Sequence, residues 1–503
     1  MVRRKIALLP VDGRPVTRKL PIDMARIADW EVIAPSVEEL GFLKRPADTD
    51  SLEKWLINMA SQVDGVILSM DMLLYGGLVP SRIHPYTEQR LLRKLAILKQ
   101  VKEYAPSLKI MVFSSTMRMS NNNINEEEKE YWKDYGRAIW SLSYHEHRFE
   151  KLGEQEDAHM VEEMKGLIPE EVLEDYKNAR AVNFSVNRQL VNEVKEGWID
   201  HLVFPQDDTS EYGWNVKEQE LLRETAREQG VDDSVFLYPG ADEVAVTLLT
   251  RMIFELEEAD VPVFYPVYSG IAGALSRAMY EDRPIMESVK GQIYAIGSRT
   301  EEDLTYADVV IGVNVPGHRQ GDLALSLHLN QVDTNHRNVP EWLSRLRSYM
   351  KRRPVAIADV AYANGADPRL FPLLFKQLNW RNLYAFAAWN TAGNTLGTVV
   401  SQAALSWLSE KSGLERQKHR EGILVERFLD DYVYQSVVRK EGRKRLDVQP
   451  SESLQTVVTP VFEGRASQLL DDWAQEYELT DVHYPWNRTF EIGFRCVRKE
   501  GES

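Results

Sequence analysis

The sequence is poor in cysteine and contains no long apolar run. Its 503 residues include one cysteine, Cys496, so an internal disulfide cannot form and nothing requires an oxidising compartment. No segment approaches the roughly 20 apolar residues of a membrane-spanning helix. The apolar stretch after the basic start covers only Ile6–Val11 before Asp12 interrupts it, which is too short for a secretion signal. We therefore expect a cytoplasmic protein with no membrane partner.

Acidic residues outnumber basic ones, and several common motifs are absent. The formal net charge is −16, which argues against a nucleic-acid partner because phosphate contacts need clustered cations. There is no Walker A motif, no G-x-G-x-x-G after a strand and no G-x-S-x-G, so nucleotide phosphate binding and serine-hydrolase chemistry have little support. A small-molecule or oligosaccharide substrate is compatible with the composition. The oligomeric state is left open.

What the sequence does contain is a series of short apolar runs that each end in polar residues. The runs alternate with amphipathic stretches such as Ser51–Gln62, Glu88–Glu103 and Lys217–Gln229, which is typical of βαβ units and a parallel sheet. Catalytic groups of α/β proteins collect at the carboxyl ends of parallel strands, so the pattern indicates an enzyme. The seven runs that end most abruptly are Ile6–Pro10, Gly65–Met70, Lys109–Ser114, His201–Pro205, Val235–Pro239, Val355–Ala358 and Leu383–Ala388.

The number of candidate strands bears on the architecture, because it exceeds the eight of a closed barrel by about three. A small α/β unit inserted at about 261–315 would account for the excess, with strands at Val261–Pro266, Gln292–Gly297 and Asp308–Val313. We therefore predict a TIM-like (β/α)8 barrel over residues 1–411 that carries this insertion. A doubly wound sheet split into two lobes is the alternative.

Two further segments depart from the barrel pattern. Residues 121–192 are highly charged and rich in helix formers, with no strand signal, which predicts a helical excursion. Beyond about Ser412 a basic helix-like stretch, Arg416–Arg439, precedes a mixed tail with a strand-like run at Arg488–Val497. We predict a C-terminal domain over residues 412–503.

The strongest candidate for chemistry is His201–Gly213, which reads HLVFPQDDTSEYG. An apolar strand runs directly into Asp207 and Asp208, and repulsion between adjacent carboxylates raises the pKa of one while the other stays ionised. Such a pair can supply an acid and an anion to one reaction, so both residues are predicted to be catalytic. The alternative is that one aspartate only caps the helix that begins near Glu211.

Two other strand ends carry acidic groups that we predict to bind substrate. Asp242 and Glu243 follow a Pro-Gly turn in PGADEVA, where they are either functional carboxylates or acids that favour the first turn of a helix. Asp12 and Arg14 follow the first strand in VDGRPVT, where Asp-Gly is also a turn signal.

The stretch Leu383–Gln402, reading LYAFAAWNTAGNTLGTVVSQ, is the most unusual in the chain. Trp389 supplies an apolar platform with one donor, and Asn390 and Asn394 each supply a donor and an acceptor, a set suited to a neutral polyhydroxylated ligand. We predict that these three residues bind substrate. The alternative makes Asn390 a helix cap and Trp389 a core residue.

Further polar groups follow the remaining strands, and none of them forms a metal motif. Asp71, with Arg82 nearby, and Arg118 are predicted to line the same substrate pocket. His145 and His147 have H-x-H spacing but lie in the charged excursion, where a solvated helix is the favoured interpretation. We predict no metal ion and no cofactor, although aspartate oxygens leave a Mg²⁺ site open as an alternative.

The motifs VDGRPVT, MDMLLYGGLVPSR, PQDDTSEYG, PGADEVA and AWNTAGNTLG resemble, across most of the chain, a bacterial family known only as domain of unknown function 4127. That resemblance implies no activity. The aspartate pair is also similar to that of retaining β-N-acetylhexosaminidases, which use the substrate acetamide as nucleophile. This second resemblance implies that Asp207 orients the acetamide and that Asp208 is the acid and base.

The sequence thus predicts a glycoside hydrolase, in its most specific form a retaining β-N-acetylhexosaminidase that acts by substrate-assisted catalysis. Two alternatives stay open. One is a Mg²⁺-dependent hydrolase that uses the same aspartates as ligands, and the other is a non-catalytic carbohydrate-binding protein. The sugar and its linkage are left open.

Overall fold

Apolar strands and amphipathic helices alternate along the chain in a computed structural model that describes residues 4–448 and 451–499. Within these residues the strands are β1 (Lys5–Leu9), β2 (Glu31–Ile33), β3 (Gly65–Ser69), β4 (Lys109–Phe113), β5 (His201–Gln206), β6 (Val235–Pro239), β7 (Phe264–Tyr268), β8 (Val309–Asn314), β9 (Gly321–Asp322), β10 (Val355–Asp359), β11 (Tyr362–Ala363), β12 (Leu383–Ala387), β13 (Tyr477–His483) and β14 (Gly493–Arg498).

The α-helices account for a larger share of the described residues than the strands. They are α1 (Lys19–Ala25), α2 (Thr49–Ala60), α3 (Pro80–Ile83), α4 (Glu88–Lys94), α5 (Ala96–Tyr104), α6 (Trp132–Leu152), α7 (Gln155–Leu167), α8 (Glu170–Lys195), α9 (Trp214–Gln229), α10 (Val244–Leu256), α11 (Ile271–Leu275), α12 (Ile285–Ala295), α13 (Val339–Tyr349), α14 (Leu370–Gln377), α15 (Ala392–Lys411), α16 (Gln417–Arg427), α17 (Arg439–Val448), α18 (Leu454–Val457) and α19 (Thr459–Trp473). Two further segments, Asp71–Tyr75 and Phe428–Val438, are π-helical.

The chain divides into two compact units. The first comprises Met1–Gly13, Val32–Ala245 and Tyr280–Asp282. The second comprises Arg14–Glu31, Val246–Met279 and Arg283–Ser503.

The first unit is organised around a six-stranded sheet with the order β2-β1-β3-β4-β5-β6. The ladders from β1 through β6 are parallel, with Ser69 opposite Phe113 and Phe113 opposite Val203. Strand β3 is buried along its whole length, as expected when helices cover both faces of a parallel sheet. Parallel pairing brings the carboxyl ends of β3, β4 and β5 to one edge, which positions the polar residues that follow them.

The second unit contains a four-stranded parallel sheet with the order β12-β10-β8-β7. Its core includes strand residues such as Ile357 and Phe386 together with Phe428, Phe462 and Phe494 from the C-terminal part of the chain. The segment 412–503 therefore contributes to the same hydrophobic core as this sheet.

The α/β class and the parallel sheets predicted from the sequence are confirmed. Closure of an eight-stranded barrel and the domain boundaries stay predictions. In the structure, β7 and β8 belong to the same hydrogen-bonded sheet as β10 and β12. Helices α6, α7 and α8 occupy the predicted helical excursion. No helix in residues 4–448 or 451–499 is long and apolar enough to cross a membrane.

One predicted strand is wrong. The run Gln292–Gly297 lies largely in helix α12, whose buried residues Ile285, Val289 and Ile293 recur every fourth position. This spacing places them on one face of a helix, and a short apolar run by itself does not distinguish a strand from a buried helix.

Candidate functional site

Three adjacent strands of the first unit deliver the residues of the candidate site. Asp71 follows β3, Arg118 lies five residues beyond β4, and Asp207 and Asp208 follow β5 directly. Since the three strands are neighbours in a parallel sheet, these residues start from the same edge. Helix α3 adds Arg82, whose side chain is only 2% exposed.

Around the aspartate pair, arginines and carboxylates form one network, which we call the Asp207 cluster. The cluster consists of Arg82, Arg118, Glu127, Glu128, Asp207 and Asp208. Arg82 Nη2 lies 2.6 Å from Asp207 Oδ2, and Arg82 Nη1 lies 2.9 Å from Glu127 Oε2. Arg118 Nε donates to Glu128 Oε1 at 2.7 Å, and Arg118 Nη1 lies 3.4 Å from Asp208 Oδ2. The two guanidinium groups thus hold four carboxylates in fixed positions.

Asp208 occupies a special backbone position. Its φ of 40° lies in the left-handed region, which aspartate tolerates better than most residues, and it turns the chain sharply after β5. Ser120 Oγ donates to Asp208 Oδ2 at 2.9 Å. Burial and the neighbouring Asp207 raise the pKa of Asp208 to about 6, although Arg118 and the Ser120 hydrogen bond act in the opposite direction. A fraction of Asp208 therefore carries a proton near neutral pH.

Both aspartates remain accessible. The side chains of Asp207 and Asp208 are 22% and 27% exposed, and their hydrogen bonds and ion pairs engage Oδ2. Among the described residues, none of these contacts engages Oδ1 of either aspartate. The pair can therefore reach a substrate without first losing its supporting contacts.

Asp71 lies close to the cluster but is buried. Ser115 N donates to Asp71 Oδ2 at 3.0 Å, and the residue is 3% exposed. Burial raises the pKa of Asp71 to about 6, against the opposing effects of Ser115, Ser81 and Arg82. Asp71 is thus a buried carboxyl group near Arg82, whereas Asp207 and Asp208 are partly exposed.

The remaining predicted residues of the first unit are buried at other strand ends. Asp12 follows β1, and Asp242 and Glu243 follow β6, with exposures of 4%, 6% and 0%. Gly240, in the turn after β6, has a φ of 106°, a backbone conformation that favours glycine. Their part in substrate binding stays a prediction.

The other four predicted binding residues belong to the second unit. Arg14, Trp389 and Asn390 line one pocket of that unit. The Trp389 indole Nε1 donates to Thr398 Oγ1 at 3.2 Å, and Asn390 has a left-handed φ of 53°. Asn394 is buried in the first turn of α15, where its carbonyl accepts a hydrogen bond from Thr398 Oγ1. A single pocket containing all the predicted residues stays a prediction.

A second polar network lies at strand ends in the second unit and is closed to solvent. Asn314 Nδ2 donates to Asp359 Oδ1 at 2.9 Å and to Asp367 Oδ2 at 3.0 Å, and Arg337 lies 2.8 Å from Asp367. The side chains of all four residues are buried. Burial and Asp367 raise the pKa of Asp359 to about 7. Because its members are buried and pair with one another, we interpret this network as structural.

Sequence reasoning missed Glu127 and Glu128. They lie in the acidic run EEEKE at 126–130, which has the composition of a solvated helix, yet the Glu128 side chain is 3% exposed. No local signal distinguishes them from their exposed neighbours. In the described part of the chain, no group of three or more His, Cys, Asp or Glu residues is arranged to hold a metal ion.

Comparison with known protein families gives a match over most of the chain. The profile of the family described as Protein of unknown function (DUF4127) matches residues 6–495. Neither curated proteins nor solved structures give a match. The resemblance to this family is therefore confirmed, whereas these comparisons lend no support to the resemblance to β-N-acetylhexosaminidases.

Proposed function

The chain belongs to the DUF4127 family, and from the geometry of its aspartate pair we propose that it hydrolyses a glycosidic bond. The observation that carries the proposal is the asymmetry of the pair. Asp207 is ion-paired with Arg82 at 2.6 Å, whereas burial and the charge of Asp207 raise the pKa of Asp208 to about 6. Adjacent carboxyl groups in such different environments are suited to separate roles as anion and acid.

In the proposed reaction Asp208 donates its proton to the glycosidic oxygen as the bond to the anomeric carbon breaks. The acetamide oxygen of the substrate attacks that carbon, and the anionic Asp207 orients the acetamide through its N–H. Water then opens the resulting cyclic intermediate while Asp208 takes a proton from it, which restores both carboxyl groups. This substrate-assisted scheme is a recognised exception to the usual two-carboxylate mechanism.

The arginines support this division of roles. Arg82 Nη2 lies 2.6 Å from Asp207 Oδ2 and holds this carboxylate in place. Arg118 lies 3.4 Å from Asp208, and Ser120 donates to the same oxygen, so both limit how far the pKa of Asp208 rises. Asp208 can therefore exchange its proton near neutral pH.

Kinetics on two substrates test the proposal. On a β-N-acetylglucosaminide with a poor leaving group we expect Asp208→Asn to lower kcat by about 10²–10⁴-fold, the usual contribution of a general acid. On an activated aryl glycoside, which needs little protonation, the same variant should keep much of its activity. Asp207→Asn should impair both substrates.

A matched control is available in the same unit. Asp232 and Asp233 form another adjacent aspartate pair, but both are exposed, and Asp232→Asn should leave both rates unchanged. Near-normal rates for Asp207→Asn and Asp208→Asn would contradict the proposal. Turnover abolished by EDTA would favour the Mg²⁺-dependent alternative, and sugar binding without turnover would favour a carbohydrate-binding protein.

A further inference from the structure

Arg439, the first residue of α17, is buried in the second unit and faces a pocket. It is 3% exposed. We call this the Arg439 pocket, and the residues that matter for its chemistry are Arg14, Asn364, Asn390, Gln435, Arg439 and Phe490. Gln435 belongs to the π-helical segment Phe428–Val438, and π-helical turns are frequent at functional sites.

The contacts of Arg439 are unusual for a buried cation. Arg439 Nη1 donates to the neutral Gln435 Oε1 at 2.9 Å, and the guanidinium lies 4.7 Å from the centre of the Phe490 ring. Its buried Nε has no hydrogen-bond partner among the described residues. No described carboxylate lies within ion-pair distance of the guanidinium. Because a buried charge without a counterion is costly, an anion bound beside Arg439 would stabilise this position.

The carboxylates that line the pocket are already engaged. Glu491 forms a bidentate ion pair with Arg488, with Arg488 Nε 2.8 Å from Glu491 Oε2. Asp430 accepts from Arg427 Nη2 at 2.9 Å and from Gln435 Nε2 at 3.2 Å. Neither carboxylate is therefore available to pair with Arg439.

Electrostatics at Arg439 agree with this geometry. Burial and repulsion from Arg443 lower the pKa of Arg439 to about 10, and the attraction of Asp322 and Glu491 does not offset them. The guanidinium still carries its charge at neutral pH.

The rest of the pocket is suited to an oxygen anion. Arg14 adds a second guanidinium, 4.7 Å from the Trp486 ring centre and 3.8 Å from Glu491. Asn364 and Asn390 lie side by side, since Asn364 N donates to Asn390 O at 2.8 Å, and they line the same pocket. Among the described residues, Asn364 Nδ2 donates to Asp322 Oδ2 and Gln435 Nε2 donates to Asp430 Oδ1, so the donor left for a phosphate or carboxylate oxygen is Arg439 Nε.

We propose that the Arg439 pocket binds the phosphate or carboxylate group of a small ligand, with Arg439 as its main cationic contact. This site lies in the second unit and does not depend on the proposed hydrolysis at Asp207 and Asp208. The oxyanion pairs with the Arg439 guanidinium and accepts a hydrogen bond from Arg439 Nε, which has no partner among the described residues.

Calorimetric titration of the full chain tests the proposal with inorganic phosphate and with acetate, each compared with chloride at the same ionic strength. We expect saturable binding at one site, and the anion that binds more tightly identifies the group. Arg439→Gln should weaken this binding by about tenfold to a hundredfold, because hydrogen bonds to a charged group are lost. Arg445, exposed on the same helix and paired with Glu441, supplies the control, and Arg445→Gln should bind as the wild type does.

A second variant keeps Arg439 in place. Asn390 has a left-handed backbone that aspartate also adopts, so Asn390→Asp should fold normally while its charge repels the anion. We expect the affinity for the anion to fall at least tenfold, because repulsion between two close negative charges is of this order. The proposal is wrong if neither anion binds the wild type more than chloride does, or if both variants bind as tightly as the wild type. Since binding is measured without turnover, either result leaves the proposed hydrolysis unaffected.

Discussion

The chemistry of the first unit depends on how individual charges act on one carboxyl group. Burial and the charge of Asp207 raise the pKa of Asp208. Arg118, at 3.4 Å, and the hydrogen bond from Ser120 lower it. The resulting pKa of about 6 lies between that of an ordinary aspartate and that of a fully unsupported buried acid. Each neighbour should therefore move the pH dependence of activity in a direction that can be stated in advance.

We expect kcat/KM to fall about tenfold per pH unit above about 6, because the proposed reaction needs a protonated Asp208 in the unliganded protein. Arg118→Gln removes a cation that lowers the pKa of Asp208, so this alkaline limb should move to higher pH by about one unit. The pH profile of kcat/KM measures the shift, and Arg137→Gln, at an exposed position of the same unit, should leave the limb in place. A limb that stays fixed in Arg118→Gln, or moves to lower pH, would show that Asp208 is not the titrating group.

At the scale of elements, helix α6 holds the loop that carries Glu127 and Glu128. Arg137 N donates to Asn123 Oδ1 at 2.8 Å, which ties the loop to the helix. A Cβ on Gly136 would lie 2.6 Å from Trp132 Nε1 and still closer to the carbonyl oxygen of Asn122. Glycine at this position therefore allows the loop to approach the helix closely.

Gly136→Ala should push this loop outward. We expect a loss of about 1–3 kcal/mol in the free energy of unfolding, typical of overpacking, together with lower kcat/KM because Glu127 and Glu128 shift relative to Arg82. Denaturant unfolding and kinetics measure the two effects. Gly166→Ala in α7 is the control, since nothing lies within 4 Å of its added Cβ, and it should be neutral or stabilising by up to about 1 kcal/mol. Equal effects of Gly136→Ala and Gly166→Ala on unfolding and on kcat/KM would show that Gly136 does not position the loop.

At the scale of the whole molecule, several carboxyl groups are held with raised pKa values. The pKa is about 6 for Asp71 and Asp208 and about 7 for Asp359 and Asp431, with burial as the largest cause in each case. The unfolded chain ionises at these positions near pH 4, whereas the folded chain keeps these protons until the pH reaches about 6 or 7. The contribution of these groups to stability therefore decreases as pH rises through this window.

Asp71→Asn isolates one of these contributions. Asn keeps an acceptor for Ser115 N but does not ionise. The free energy of unfolding of the variant, relative to that of the wild type, should therefore be higher at pH 7 than at pH 4. A pKa shift of about two units corresponds to about 3 kcal/mol for this buried group. Denaturant unfolding at both pH values checks the change, with the exposed Asp232→Asn as reference. A stability difference between Asp71→Asn and the wild type that is the same at both pH values would contradict it.

The sequence by itself determined the α/β class, the positions of most strands and the polar residues that follow them. Those features depend on local periodicity and on the order of residues along the chain, as with Asp207 and Asp208 directly after β5. Gln292–Gly297 marks the limit of that information, because a short apolar run suits a strand and a buried helix equally.

Only the tertiary structure decided which polar residues meet and how strongly they interact. Arg82 reaches Asp207 across 125 positions of the chain, and Glu128 is buried although its local sequence is that of a solvated helix. The fold likewise brings Arg439 into a pocket whose carboxylates, Asp430 and Glu491, are already paired with Arg427 and Arg488. Distances between remote residues and the burial of each charge arise from long-range packing, and these set the pKa values and ion pairs on which the proposed chemistry depends.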